Sequence, residues 1–121
     1  METKGFKPVS RVGGPLYEVD VELDSVGNSD VFKTPSGANG VINLSFHPGA
    51  AGEGGAEVTM ASEERIDASV DGSDLEWIPV PDDAAATNWT STTTQRIAGA
   101  TAIRFNVTAA PNPVRYQVTG G

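Results

Sequence analysis

The chain contains no cysteine. A disulfide framework, a thiol nucleophile and a cysteine-based zinc site are therefore all excluded, while the redox compartment stays open, since many proteins in oxidising surroundings also lack cysteine. Histidine is nearly absent as well: His47 stands alone, beside Pro48. A Ser–His–Asp triad would have to be built on that one imidazole, and no partner motif lies near it in the sequence. No apolar run approaches the roughly 18 residues of a membrane span, and no charged-then-apolar start announces secretion, so neither a membrane partner nor a signal peptide is expected. No window keeps a 3.6-residue apolar period over three turns. Helix should be minor, and a phosphate-binding glycine loop has no helix to open.

Charge of one sign is scarce. Eight Lys and Arg face 16 Asp and Glu, a net charge of −8. The imbalance is local: residues 1–11 carry +2, residues 12–95 carry −13 and residues 96–121 carry +3. Such a field repels phosphate backbones, so no nucleic-acid partner is expected. Abundant carboxylates are not in themselves the paired acids that glycoside hydrolysis needs. At 121 residues the chain is long enough for one core without a staple.

What is present in quantity is alternation. Ile103, Phe105 and Val107 alternate with Arg104, Asn106 and Thr108, and beyond Pro111 and Pro113 the pattern resumes with Val114, Tyr116 and Val118 against Arg115, Gln117 and Thr119. Period two means strands with one buried and one wet face, and the pair reads as an antiparallel hairpin carrying the densest core. Upstream, Leu16–Asp24 turns Tyr17, Val19, Val21 and Leu23 inward and Glu18, Asp20, Glu22 and Asp24 outward. Four carboxylates on one face repel unless solvated or paired, and Arg96, Arg104 and Arg115 are the candidate partners. Val31–Thr34, Val41–His47, Glu57–Ala61, Ile66–Asp71 and Leu75–Val80 read as further strands, with Ile66, Ala68 and Val70 inward.

Between them lie Gly, Pro, Asn and Asp turns. The run HPGAAGEGGAE (His47–Glu57) reads either as a flexible hairpin tip or as a loop that docks on a partner. The acids Asp67, Asp71, Asp74, Glu76, Asp82 and Asp83 read as a solvated hairpin or as oxygen donors for calcium, though without EF-hand spacing. Trp77 and Trp89 read as core plugs or as rim aromatics that stack on sugar rings. The sequons at Asn43, Asn88 and Asn106 would matter only on a secretory route. Residues 1–15 are basic and broken by Pro8, Gly13, Gly14 and Pro15, which suggests an extended arm, either frayed or ordered against a neighbouring subunit. The expected architecture is all-β: a single antiparallel β-sandwich or jelly-roll-like domain of about eight short strands over residues 16–121, preceded by that arm.

Two stretches carry a family resemblance. ASVDGSDLEWIPVPDD (Ala68–Asp83) has a strand, an Asp-Gly turn and a Trp-x-Pro-Val return, and TTTQRIAGATAIRFNVTAAPNPVRYQVTG (Thr92–Gly120) runs from a Thr-rich loop through an I-x-G-A-x-A-I-R strand to a short terminal strand. Both resemble small β-sandwich structural proteins of tailed bacteriophages. The resemblance implies a non-enzymatic virion protein, foremost a capsid decoration (cement) protein on the outer surface of the phage head, made in the host cytoplasm. Its implied partners are the major capsid protein and further copies of the chain on the particle. Similar endings occur in galactose-binding-like sandwiches, so the alternative is a glycan- or receptor-binding module of a tail or fibre. Candidate partner-binding residues are Phe6, Lys7, Val9 and Arg11 in the arm, His47 and Trp89. No catalytic residue, metal or cofactor is expected.

Overall fold

The computed structural model describes residues 1–9, 16–35, 41–80 and 88–120. Arg11, Asp82 and Asp83 lie outside them. Among the described residues the all-β expectation holds, with eleven strands and one short helix. The strands are β1 (Thr3–Gly5), β2 (Lys7–Val9), β3 (Leu16–Leu23), β4 (Gly27–Asn28), β5 (Val31–Lys33), β6 (Ile42–His47), β7 (Glu53–Thr59), β8 (Ile78–Pro79), β9 (Thr93–Ile97), β10 (Ala102–Ala109) and β11 (Val114–Gly120). They form two sheets. One runs β1-β5-β10-β7-β8, with β4 also on β10; the other runs β2-β3-β11-β6-β9. The core fills the space between them, and Ile42, Phe46, Ile103, Phe105, Val114, Tyr116 and Val118 have no exposed surface.

The expected C-terminal hairpin is not one. Strand β10 pairs with β4, β5 and β7, whereas β11 pairs with β3 and β6. Residues 110–113 therefore pass from one sheet to the other. Alternation is the same for two strands in one sheet and for two that face each other across a sandwich, so the pattern could not distinguish them. The faces do meet: the Phe105 and Tyr116 rings stack with centroids 4.3 Å apart at 20°. Phe46 approaches Tyr116 at 5.0 Å and Phe32 approaches Phe105 at 5.7 Å.

The glycine-rich stretch is also more regular than expected. Its turn is confined to residues 48–51, with Gly49 at φ +63° and Ala51 at φ +59°, and Glu53–Thr59 is strand β7, which pairs with β10 from Ala102 to Ala109. Glycine is needed there for closeness. A Cβ on Gly54 would lie 2.3 Å from the Tyr116 hydroxyl and 2.8 Å from the Asn106 carbonyl oxygen. That hydroxyl donates to the Gly55 carbonyl at 3.0 Å, and burial pushes the phenol well above the usual tyrosine range.

Where a strand was expected over Ile66–Asp71, the chain forms the helix α1 (Glu63–Ala68). Ser62 caps it, its hydroxyl accepting from the Arg65 N–H at 3.3 Å, and Glu63 and Glu64 sit in the first turn where the helix dipole favours them. Ile66 is buried but Val70 is 89% exposed, so the apparent alternation had only one inward residue. Ile66 and Leu75 pack with Val31, Ala61 and Ala102 in a second cluster, with Trp77 partly buried against it.

Of the expected arm, residues 1–9 are described, and two short stretches of them pair within the sheets. Thr3–Gly5 runs parallel to β5, and Lys7–Val9 runs antiparallel to β3. Each is three residues long and lies at a sheet edge, where Pro8 is tolerated. Residues 3–9 thus contribute an edge strand to each sheet of the same sandwich, and Phe6 packs against the main core between them.

Candidate interaction surface on the five-stranded sheet

The outward residues of β3, β6, β9 and β11 form a polar face; the inward sets of β3, β6 and β11 are largely apolar, while β9 turns Thr93 and Gln95 to that side along with Ile97. Register fixes its rows. Thr119 lies opposite Glu18 on one side and Asn43 on the other, and Asn43 lies opposite Arg96. The next row runs Asp20, Gln117, Ser45, Thr94, and a third runs Glu22, Arg115, His47. Lys7 of β2 extends the first row beyond Glu18. An open hollow of about 460 Å³ lies over the middle, lined by Glu18, Asn43, Ser45, Thr94, Arg96 and Gln117 among others.

The centre of this face is held in place by its own contacts. Arg115 donates twice to Asp20, Nε to Oδ1 at 2.9 Å and a terminal nitrogen to Oδ2 at 2.6 Å. Gln117 Nε2 donates to the same carboxylate at 3.3 Å, the Ser45 hydroxyl donates to Gln117 Oε1 at 3.5 Å, and Ser45 Oγ lies 3.1 Å from His47 Nε2. The Arg115 hydrogen bond holds the Asp20 carboxyl below the usual range, against the opposing effect of its partial burial. A folded carboxyl with a depressed pKa stabilises the fold above its unfolded value and loses that contribution as pH falls through the folded one. Arg115→Ala is therefore expected to move the Asp20 titration, followed by carboxylate NMR, up toward an ordinary aspartate and to shift its acid-linked loss of stability to higher pH. An unmoved titration would mean that the crossing pair is not formed in solution.

Of the three arginines expected to neutralise β3, Arg115 does so. Arg104 instead pairs with Glu57 on the other sheet, at 2.8 Å, and stacks 4.2 Å from the Trp77 ring centre. The sequence alternation marked Glu18, Asp20, Arg115 and Gln117 as outward. It did not say which strands are neighbours, so the Asp20–Arg115 pair at the centre could not be singled out.

No family model, curated protein or solved structure matches the chain. The surface is therefore read from its own residues.

The sequence-based site residues separate into two groups. Lys7 and His47 lie on this face. Val9 lies opposite Leu16 at the sheet edge, and Phe6 faces the core. Trp89 is only 9% exposed, packs 5.7 Å from Phe46 and bridges Gly54 through its backbone. It has no free ring to offer a sugar, and the Trp77 indole donates to the Gly72 carbonyl at 2.8 Å while its ring carries Arg104. The acidic turn is occupied by local bonds. Asp71 accepts from the Ser73 N–H, Asp74 from the Ser69 hydroxyl, and Glu76 from Arg65. Among the described residues no three metal-ligating side chains converge.

Proposed function

We propose that the chain is a non-enzymatic virion structural protein, a decoration protein that binds the outer surface of a bacteriophage head and stabilises it. The observation that carries this reading is the broad polar face of the five-stranded sheet, whose central side chains are already fixed by one another. A surface ordered before contact loses little conformational entropy on docking, and its mixture of Asp20, Arg115, Gln117 and Ser45 offers paired donors and acceptors to another protein. Of the two segments that carry the phage resemblance, Thr92–Gly120 supplies β9, β10 and β11 and so spans both sheets, whereas the described part of Ala68–Asp83 begins at the last residue of helix α1 and holds only the two-residue strand β8 in place of the expected strand, turn and return.

The sequence suggested docking through a free arm and a flexible loop. With residues 3–9 in the sheets and β7 beginning at Glu53, the docking element becomes the sheet face, and the major capsid protein is the partner it would meet. A glycan-binding reading has weaker support, since Trp89 is buried. Immunogold electron microscopy of phage particles from the source host, with antibody raised against this chain, tests the proposal. Labels spread evenly over heads are the expected result. Labels confined to tails or fibres would transfer the chain to receptor contact, and unlabelled particles would overturn the virion reading.

A further inference from the structure

The chain sets eight Lys and Arg against 16 acids, and with Arg11 outside the described residues seven of the eight can be placed. Five of these seven form ion pairs, and Lys7 lies opposite Glu18. Arg96 does neither. It faces outward on β9 opposite Asn43, and it forms no ion pair among the described residues. Its half of the polar face holds no acid: β6 and β9 turn out Asn43, Ser45, His47, Thr94 and Arg96, whereas Glu18, Asp20 and Glu22 all belong to β3. Hydrogen bonds divide the face as well. The row through Gln117 and Ser45 is joined internally, but in the row beside it the side chains of Thr119, Asn43 and Arg96 form no hydrogen bond among the described residues. These three line the hollow of about 460 Å³, a size within the range of about 300–1,000 Å³ found for ligand sites.

We propose that the hollow seats a carboxylate of the protein partner, an Asp or Glu side chain held by the Arg96 guanidinium and by the Asn43 amide beside it. The inference rests on the reading of this face as the docking surface. A planar carboxylate accepts two parallel hydrogen bonds from one arginine, and the Asn43 amide can donate a third. Seating it satisfies at once the charge and the donors that the fold leaves open. An arginine enclosed at an interface in this way is of the type that dominates binding energy. An extended polyanion fits less well. Glu18 stands at the far end of the row, three strand spacings or about 14 Å from Arg96, and would repel the next charge of a nucleic acid or an acidic polysaccharide. A single acid on a protein surface meets no such penalty. A charge that only discouraged strand addition at the β9 edge would need no unbonded amide at its side.

NMR titration of the intact chain at constant ionic strength tests this without a particle. The probe is the end-blocked tripeptide Gly-Glu-Gly, compared with Gly-Gln-Gly, galacturonate and inorganic phosphate. The Glu peptide is expected to shift the Asn43 side-chain amide with half-saturation at about 10–100 mM, the strength of one or two charge-assisted hydrogen bonds. Arg96→Gln removes the charge from an exposed side chain, so it should melt as the wild type does and abolish the shift. An absent shift, an equal response to the Gln peptide, or a shift that survives in Arg96→Gln would overturn the proposal. Galacturonate or phosphate that binds more tightly than the Glu peptide would also overturn it, in favour of a sugar or phosphate ligand. A second arm uses phage particles assembled without the chain. There Arg96→Glu should weaken binding by at least about thirty-fold relative to the wild type. Equal binding would overturn the carboxylate contact and leave the head reading intact, whereas a wild type that binds the Glu peptide but no particle would support the contact and overturn the head reading.

Discussion

Phe105→Ala is expected to remove about 3–5 kcal/mol of folding stability, the range for deleting a buried aromatic side chain. Phe105 has no exposed surface and sits on β10, flanked by β5 on one side and β7 on the other. Its ring is held between Phe32 and Tyr116. Neither neighbour is free to collapse into the vacated space. Tyr116 is tied to Gly55 through its hydroxyl, and Phe32 belongs to a strand that is paired with both β1 and β10. The void would therefore persist, and the loss would include the cavity as well as the transfer of the ring. Against a total of about 5–15 kcal/mol for a domain, this is a large fraction. Urea unfolding at constant slope is the measurement, with Val26→Ala as the reference, since Val26 is 68% exposed and its truncation should change stability by less than about 0.5 kcal/mol. A cost under about 1 kcal/mol at Phe105 would mean that the two sheets do not close on this ring.

The same residue illustrates what the sequence could and could not convey. Its burial was legible, because Ile103, Phe105 and Val107 alternate with polar neighbours and only a half-buried strand has that pattern. Its sheet was not legible. Alternation records which way a side chain points relative to its own strand and carries no record of which strand lies alongside, so β10 and β11 read as one hairpin when they belong to opposite sheets. The polar face was limited in the same way. Glu18, Asp20, Arg115 and Gln117 were recognisable as outward, but Asp20 becomes the centre of a network only because β3 and β11 are neighbours. At Ile66 a short-range signal was outweighed by another: three apolar residues at alternate positions suggested a strand, while Ser62 with Glu63 and Glu64 supplied the cap and first turn of a helix. Trp89 was ambiguous for a different reason. A large aromatic in a polar loop is as compatible with a rim site as with a plug, and the backbone bridge to Gly54 decides for the plug.

Gly54 is the second position where a small change should have a large effect, and it is one that a composition-based reading assigns to a flexible loop. Gly54→Ala is expected to cost about 2–4 kcal/mol, from overpacking and from the displaced phenol. The new Cβ would stand 2.3 Å from the Tyr116 hydroxyl and 2.8 Å from the Asn106 carbonyl oxygen. Tyr116 has no room to retreat, since its ring is fully buried between Phe46 and Phe105. Moving its hydroxyl would also break the bond to the Gly55 carbonyl. Tyr116→Phe alone should cost about 1–2 kcal/mol, because that carbonyl loses its side-chain donor. Combined with Gly54→Ala, however, it removes the atom nearest the new methyl group. The double variant should therefore be more stable than the sum of the two singles predicts, by about 1–2 kcal/mol in a double-mutant cycle. Recovery should be incomplete, because the Asn106 carbonyl belongs to the paired strand β10 and cannot move with the side chain. Strict additivity would place the whole cost of the alanine on that backbone contact and would release Tyr116 from any part in selecting glycine.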